Sequence, residues 1–245
     1  MTSVLGLGAL AMIAVDAVIG VRLLFLASRS RAVPETALGL AFVLLGALGY
    51  PLTTAARRGV LPTDEANQVL MAVGLLAQDV ACFGVYVMTA YTFHSGDRTA
   101  RGLVGLAGVA FVASWIGQAF QTAFAPNATS AAYFVGLAAR AVAFAWACAA
   151  SLREYGLARR RMRIGLVDPL VANRFLLFGL GTGGVLVAFL VFLVGQLTNE
   201  NVAEVTWVLA ATGVAGLFAA VPTWLAFLPP QVYRRRFDDR ALFVR

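Results

Sequence analysis

The chain has 245 residues, a mean hydropathy of +0.82, 60% hydrophobic against 13% charged side chains, and a formal charge of +7. A soluble domain of that composition would have too few polar residues to cover its apolar surface. Its apolar runs reach roughly 20 residues, the length that crosses about 30 Å of hydrocarbon, and no alternating ten-residue pattern suggests a barrel.

All 19 basic residues are arginines. They collect in the connections on one side, so membrane topology accounts for the charge and no nucleic-acid partner is expected. The absence of lysine excludes a retinal Schiff base, hence covalent retinal. The single histidine, His94, excludes a zinc hydrolase with several His ligands and bis-histidine haem. Cys82 and Cys148 stand apart with no Cys-x-x-Cys pair and read as buried, unreactive thiols. Neither a metal nor another cofactor is expected. The expected fold is all-α: a polytopic membrane protein with a seven-transmembrane-helix bundle over residues 1–230 and a basic cytoplasmic tail over 231–245.

Helix 1 is predicted over 4–27. It lacks a positive region before it and is followed by Arg29 and Arg31, so it reads as an inserted span and not a cleaved signal. Helix 2 (35–55) opens on Pro34 and Glu35, which suit a first helical turn. Helix 3 (65–93) has Thr63 as N-cap with Asp64 and Glu65 behind it. Its Gln68, Ala72, Leu75, Asp79, Cys82, Tyr86 and Thr89 recur at steps of four and three and share one face. Helix 4 (102–124) carries Gly102, Gly105 and Gly108, which permit close helix contact. Helix 5 (131–151) leads into an arginine-rich connection. Helix 6 (170–197) starts at Pro169 behind Asp168, and Gly179, Gly181, Gly183 and Gly184 mark a packing seam or a flexible point. Helix 7 (202–227) contains Pro222, an expected kink.

Arginines dominate the first, third and fifth connections and the tail, while Arg57 and Arg58 are the only ones in the connections on the other side. The positive-inside rule therefore puts the N-terminus outside and the C-terminus in the cytoplasm. The lysine-free, Ala-, Gly- and Arg-rich usage suggests a bacterial cytoplasmic membrane. The arrangement resembles the general seven-helix receptor plan in architecture only. Thr92-Phe93-His94 stands where an Asp-Arg-Tyr motif would follow helix 3, and helix 7 has no Asn-Pro-x-x-Tyr.

Three ionisable residues fall at hydrocarbon depth: Asp16, Asp79 and Arg140. Counted at about 1.5 Å per residue they can share a layer. An arginine there needs an acid, and either aspartate could supply it. Such a pair has three readings: a structural clamp, a proton relay, or an anchor for a ligand's charged group. A second polar group, Ser114, Gln118 and Gln121 on helix 4, with Gln196 on helix 6, lies near the depth of Trp115, Tyr133, Phe144 and Trp207. Together these outline a candidate ligand pocket with aromatic walls; interhelical hydrogen bonding is the plainer alternative.

On the cytoplasmic side, Arg159, Arg160, Arg161, Arg163, Arg234, Arg235 and Arg236 form a basic surface. It suits anionic lipid at that face of the bilayer or an acidic protein partner. No nucleophile–base pair, metal-ligand cluster or phosphate loop is present, so no enzymatic activity is expected. The expected function is a small receptor-like or sensory membrane protein that binds a ligand within the bundle and contacts a cytoplasmic partner. A proton-linked transporter or channel using Asp16 and Asp79, or a structural subunit of a membrane complex, are the alternatives.

Overall fold

The computed structural model describes residues 2–198, 202 and 205–233, with side chains from residue 10 onward. Its helices are α1 (Thr2–Ser30), α2 (Val33–Phe42), a π-helical stretch (Val43–Gly49), α3 (Tyr50–Arg57), α4 (Asp64–Phe93), α5 (Arg98–Thr122), α6 (Ala131–Met162), α7 (Pro169–Thr198) and α8 (Thr206–Phe227). Among the described residues there is no strand. Within those same residues seven stretches are long and apolar enough to cross a membrane, and α2, the π stretch and α3 together make the second. The protein is an all-helical integral membrane bundle.

Local chemistry sets the helix ends. The Thr63 hydroxyl accepts a hydrogen bond from the Ala66 N–H at 3.3 Å, the capping role expected of it. Asp168 Oδ1 likewise accepts from the Leu170 N–H at 2.7 Å, with Pro169 opening α7. Three boundaries differ from expectation by four residues or more, one of them the start of α8, which lies at Thr206 and not at 202. α5 begins four residues early, at Arg98, because Asp97 Oδ1 accepts from the Thr99 N–H at 2.8 Å and caps the extra turn. α6 runs on to Met162, through Leu, Arg, Glu, Ala and Met, which are strong helix formers, and Arg159, Arg160 and Arg161 in its last turn complement the helix dipole.

The second span departs most from expectation. Instead of one continuous helix it widens over Val43–Gly49, where the Tyr50 N–H reaches back five residues to the Leu45 carbonyl. Such π turns inside α-helices recur at functional sites.

Six spans close a ring. α1 packs against α2 and α8, α8 against α7, α7 against α6, α6 against α4, and α4 against all three parts of the second span. α5 packs against α4 and α6 from outside. Accordingly α4 is the most enclosed span, 50% buried over its most apolar window, and α5 the least, at 22%. On the α4 stripe, Leu75, Asp79, Cys82, Tyr86 and Thr89 are all buried.

The glycines of α7 form a packing seam. A β-carbon on Gly184 would come within 3.0 Å of the Ala219 backbone in α8, and Gly181 faces Thr223. The glycines of α5 do not play the part expected of them. A β-carbon on Gly102 or Gly105 would have nothing within 4 Å and one on Gly108 would meet Phe83 at 3.3 Å, whereas the close approach falls at Gly117, where a β-carbon would come 2.6 Å from Ala132 of α6. A peripheral helix has partners on one side only, and Gly102 and Gly105 lie off that side.

Candidate functional site in the helix bundle

The polar centre of the bundle is built by α4, α6 and the π stretch. Arg140 in α6 meets Asp79 in α4 through two nitrogens: Nε donates to Asp79 Oδ1 at 2.8 Å, and Nη2 lies 2.8 Å from the same oxygen. Both side chains are buried, at 2% and 3% exposure. Burying either charge alone would be costly, and their proximity is what lets both remain there. Asp79 Oδ2 is buried without a hydrogen-bond partner.

Gln78 extends the pair toward the second span. Its Oε1 accepts from Arg140 Nη1 at 3.2 Å, while Nε2 donates to the Gly49 carbonyl at 3.1 Å and to the Thr53 hydroxyl at 3.0 Å. The Thr53 hydroxyl in turn donates to the Gly49 carbonyl at 2.9 Å. A continuous polar path therefore runs from Asp79 through Arg140 and Gln78 to the end of the π stretch. The amide of Gln78 is suited to this bridge because it offers a donor and an acceptor at one site.

Asp16 does not join this cluster. Its carboxylate lies against Gly46 within the π stretch, in the space a β-carbon there would occupy. Asp16 is buried, and among the described residues no basic side chain lies within 4 Å of it. The three charges at hydrocarbon depth thus separate into a pair, Asp79–Arg140, and one lone acid.

Above the pair lies a cavity of about 850 Å³, inside the roughly 300–1,000 Å³ range of small-molecule sites. Gln78 and Arg140 contribute to its floor, and Leu45, Met71, Leu75, Leu137, Val185, Phe189 and Phe192 to its walls. α1 and α8 close one side through Leu10, Met12, Ile13, Leu209 and Gly216. Arg57, Arg58 and Val60 stand at its mouth, at the end of the bundle where α3 turns into α4. Arg58 and Val60 are exposed, so the cavity opens at that end.

Of the residues expected to line a pocket, Tyr133 does so. Its hydroxyl accepts from Arg57 Nη2 at 3.3 Å, and Arg57 also lies 5.8 Å from the Tyr133 ring and 5.4 Å from the Phe192 ring. The others lie elsewhere. Gln118 is buried but bonds within its own helix, donating to the Ser114 carbonyl at 3.3 Å and to the Ser114 hydroxyl at 3.1 Å. Gln121 is exposed. Trp115 donates its indole N–H to the Ala72 carbonyl at 3.4 Å and packs on Phe124. Phe144 stacks on Phe189, ring centroids 5.6 Å apart, in the core behind the wall.

Gln196 is buried with neither amide atom bonded. Trp207 is 47% exposed and lines an outer groove between α6, α7 and α8. For Trp115, Gln118 and Gln121 the cause is the position of α5: a helix outside the ring cannot present them to a cavity inside it. The residues that sequence reasoning passed over are Gln78, Thr53 and Arg57. Gln78 sits one position before Asp79, off the stripe that steps of four and three define.

At the opposite end, Arg159, Arg160, Arg161 and Arg163 are exposed around the end of α6. Arg234, Arg235 and Arg236 lie outside the described residues.

No family model, curated protein or solved structure matches the chain.

Proposed function

We propose that the protein is a receptor-like membrane protein that takes a small ligand into the cavity above Arg140 and Gln78. The observation that carries this reading is the cavity itself: it is apolar along its walls, has a few convergent polar groups at its floor, and opens at one end of the bundle. The network beneath it supports the same reading. A ligand pressing on Gln78 would act on the Gly49 carbonyl and on Arg140 at once, which links the cavity to the widened turn of the second span.

In the orientation given by the arginine distribution, the mouth faces outward and the α6 terminus with Arg159, Arg160, Arg161 and Arg163 faces the cytoplasm. That basic end is available to anionic lipid or to an acidic partner. A bacterial cytoplasmic membrane is the location this reading assigns.

The test is a ligand screen on protein in lipid nanodiscs, reading thermal stability, with Leu137→Trp alongside as a cavity-filled variant. Compounds that raise the unfolding temperature of the wild type but not of Leu137→Trp are expected. Compounds that shift both proteins equally would place binding outside the cavity and end this reading.

A second reading has its own observation. Asp16 is buried beside the π stretch with no counter-charge among the described residues, and an intramembrane acid of that kind supports a proton-carrying role. Proton flux into liposomes that is lost in a folded Asp16→Asn variant is its expected sign; no flux in any gradient would remove it.

A further inference from the structure

The cation at the mouth of the cavity has no acid among the described residues. Arg57 is half-buried between Tyr133 and Phe192, where its hydrogen bond goes to a neutral phenol and its other partners are ring faces. Among the described residues no carboxylate lies within 4 Å of it or of Arg58, and the only ion pair there is Asp79–Arg140 at the floor. The floor therefore does not call for an anion, because Arg140 is already neutralised, while the mouth does. Between the two levels, Tyr133 and Arg140 are seven residues apart on α6, a depth of roughly 10 Å. The lining over that depth includes Met71, Leu75, Leu137 and Phe189.

We infer that the cavity binds an anionic amphiphile, with its carboxylate or phosphate held by Arg57 and Arg58 and its hydrocarbon chain lying in the apolar body below. This rests on the reading of the cavity as a ligand site and specifies what the ligand is. Guanidinium groups match carboxylate and phosphate oxygens in geometry as well as in charge, and a cation desolvated by aromatic rings gains more from an anion than one in open water. The two sources of such a molecule are a free fatty acid and an anionic phospholipid entering from the bilayer.

The experiment is photolabelling in nanodiscs of neutral lipid, using a fatty acid with a diazirine near the end of its chain, followed by peptide mapping. Saturable labelling of the Met71–Leu75 and Val185–Phe192 walls is expected. It should weaken at least tenfold in Arg57→Gln and return in Arg57→Lys, which keeps the charge. Labelling of the lipid-facing Leu106, Val109 and Val112 should not change in either variant. Competition by unlabelled dodecanoate identifies a free fatty acid, and competition by phosphatidylglycerol but not dodecanoate identifies a bilayer lipid; either outcome supports the inference.

The matching diazirine alcohol separates the two ways of failing. If alcohol and acid label the walls equally and Arg57→Gln alters neither, the anion requirement falls while the ligand cavity stands. If neither probe labels the walls saturably, the inference is overturned; if wall labelling by both probes is also unchanged in Leu137→Trp, the cavity reading falls with it.

Discussion

The carboxylate of Asp16 occupies the space that a β-carbon on Gly46 would fill. The contact joins the first span to the widened turn of the second, and the Asp16 Cβ lies in it as well as the carboxylate. Gly46→Ala should therefore destabilise the bundle by about 1–3 kcal/mol, the usual cost of overpacking. Thermal unfolding in detergent measures this. Asp16→Gly in the same chain should restore part of the loss, a coupling that independent sites would not show.

The Asp79–Arg140 pair gives a sharper contrast between single and double changes. Arg140→Gln or Asp79→Asn alone strands a buried charge and should cost about 3–5 kcal/mol. The double variant, neutral at both positions, should recover most of that. Equal losses in all three proteins would mean that the shape of the two side chains matters and their charge does not.

Gln78→Leu keeps the bulk of the side chain but removes its donor and acceptor. The Gly49 carbonyl keeps its bond from Thr53, so the expected cost is that of hydrogen bonds lost by the Arg140 and Thr53 ends, about 1–3 kcal/mol. Amide exchange should rise between Gly49 and Arg57 while the far end of α4 stays protected. Exchange by mass spectrometry reads both segments at once.

Asp97 offers a pH-dependent cap outside the spans. The Thr99 N–H bonded to it holds its carboxyl below the ordinary value of 3.8. A depressed folded value means the capping contribution is fully present above pH 3.8 and is lost as the pH falls through the lower, folded value. The amide signals of Thr99 and Ala100 should move together in that acidic window, and Asp97→Ala should abolish the transition. A shift that survives Asp97→Ala would assign it to another group.

The spans, and the need for an acid beside Arg140, could be read from the sequence because both arise from strong constraints. Apolar runs must be long to cross lipid, and a buried arginine must find an acid. Which acid it finds depends on helix rotation, and only the ring order of the helices places Asp79, and not Asp16, next to Arg140. Gln78 stayed hidden for a related reason: it lies about 100° round the helix from Asp79, and only the position of the second span shows that this neighbouring face is also interior. The π stretch leaves no signature in Val43–Gly49 beyond two glycines among apolar residues. The pocket expected on α5 assumed that all seven helices face a common centre, whereas six form the ring and one stands behind it.

The widened turn at Val43–Gly49 also acts as a phase setter for α3. It holds roughly one residue more than an α-helix would over the same rise. Were the same residues to close into regular α geometry with none removed, Tyr50 through Arg57 would turn by roughly 100° around the axis. The Gly49 carbonyl would swing away from Gln78, and Arg57 would leave the aromatic rings at the cavity mouth. A change from π to α hydrogen bonding at lipid depth would thus disarm the entrance without altering any of the arginines and rings that form it.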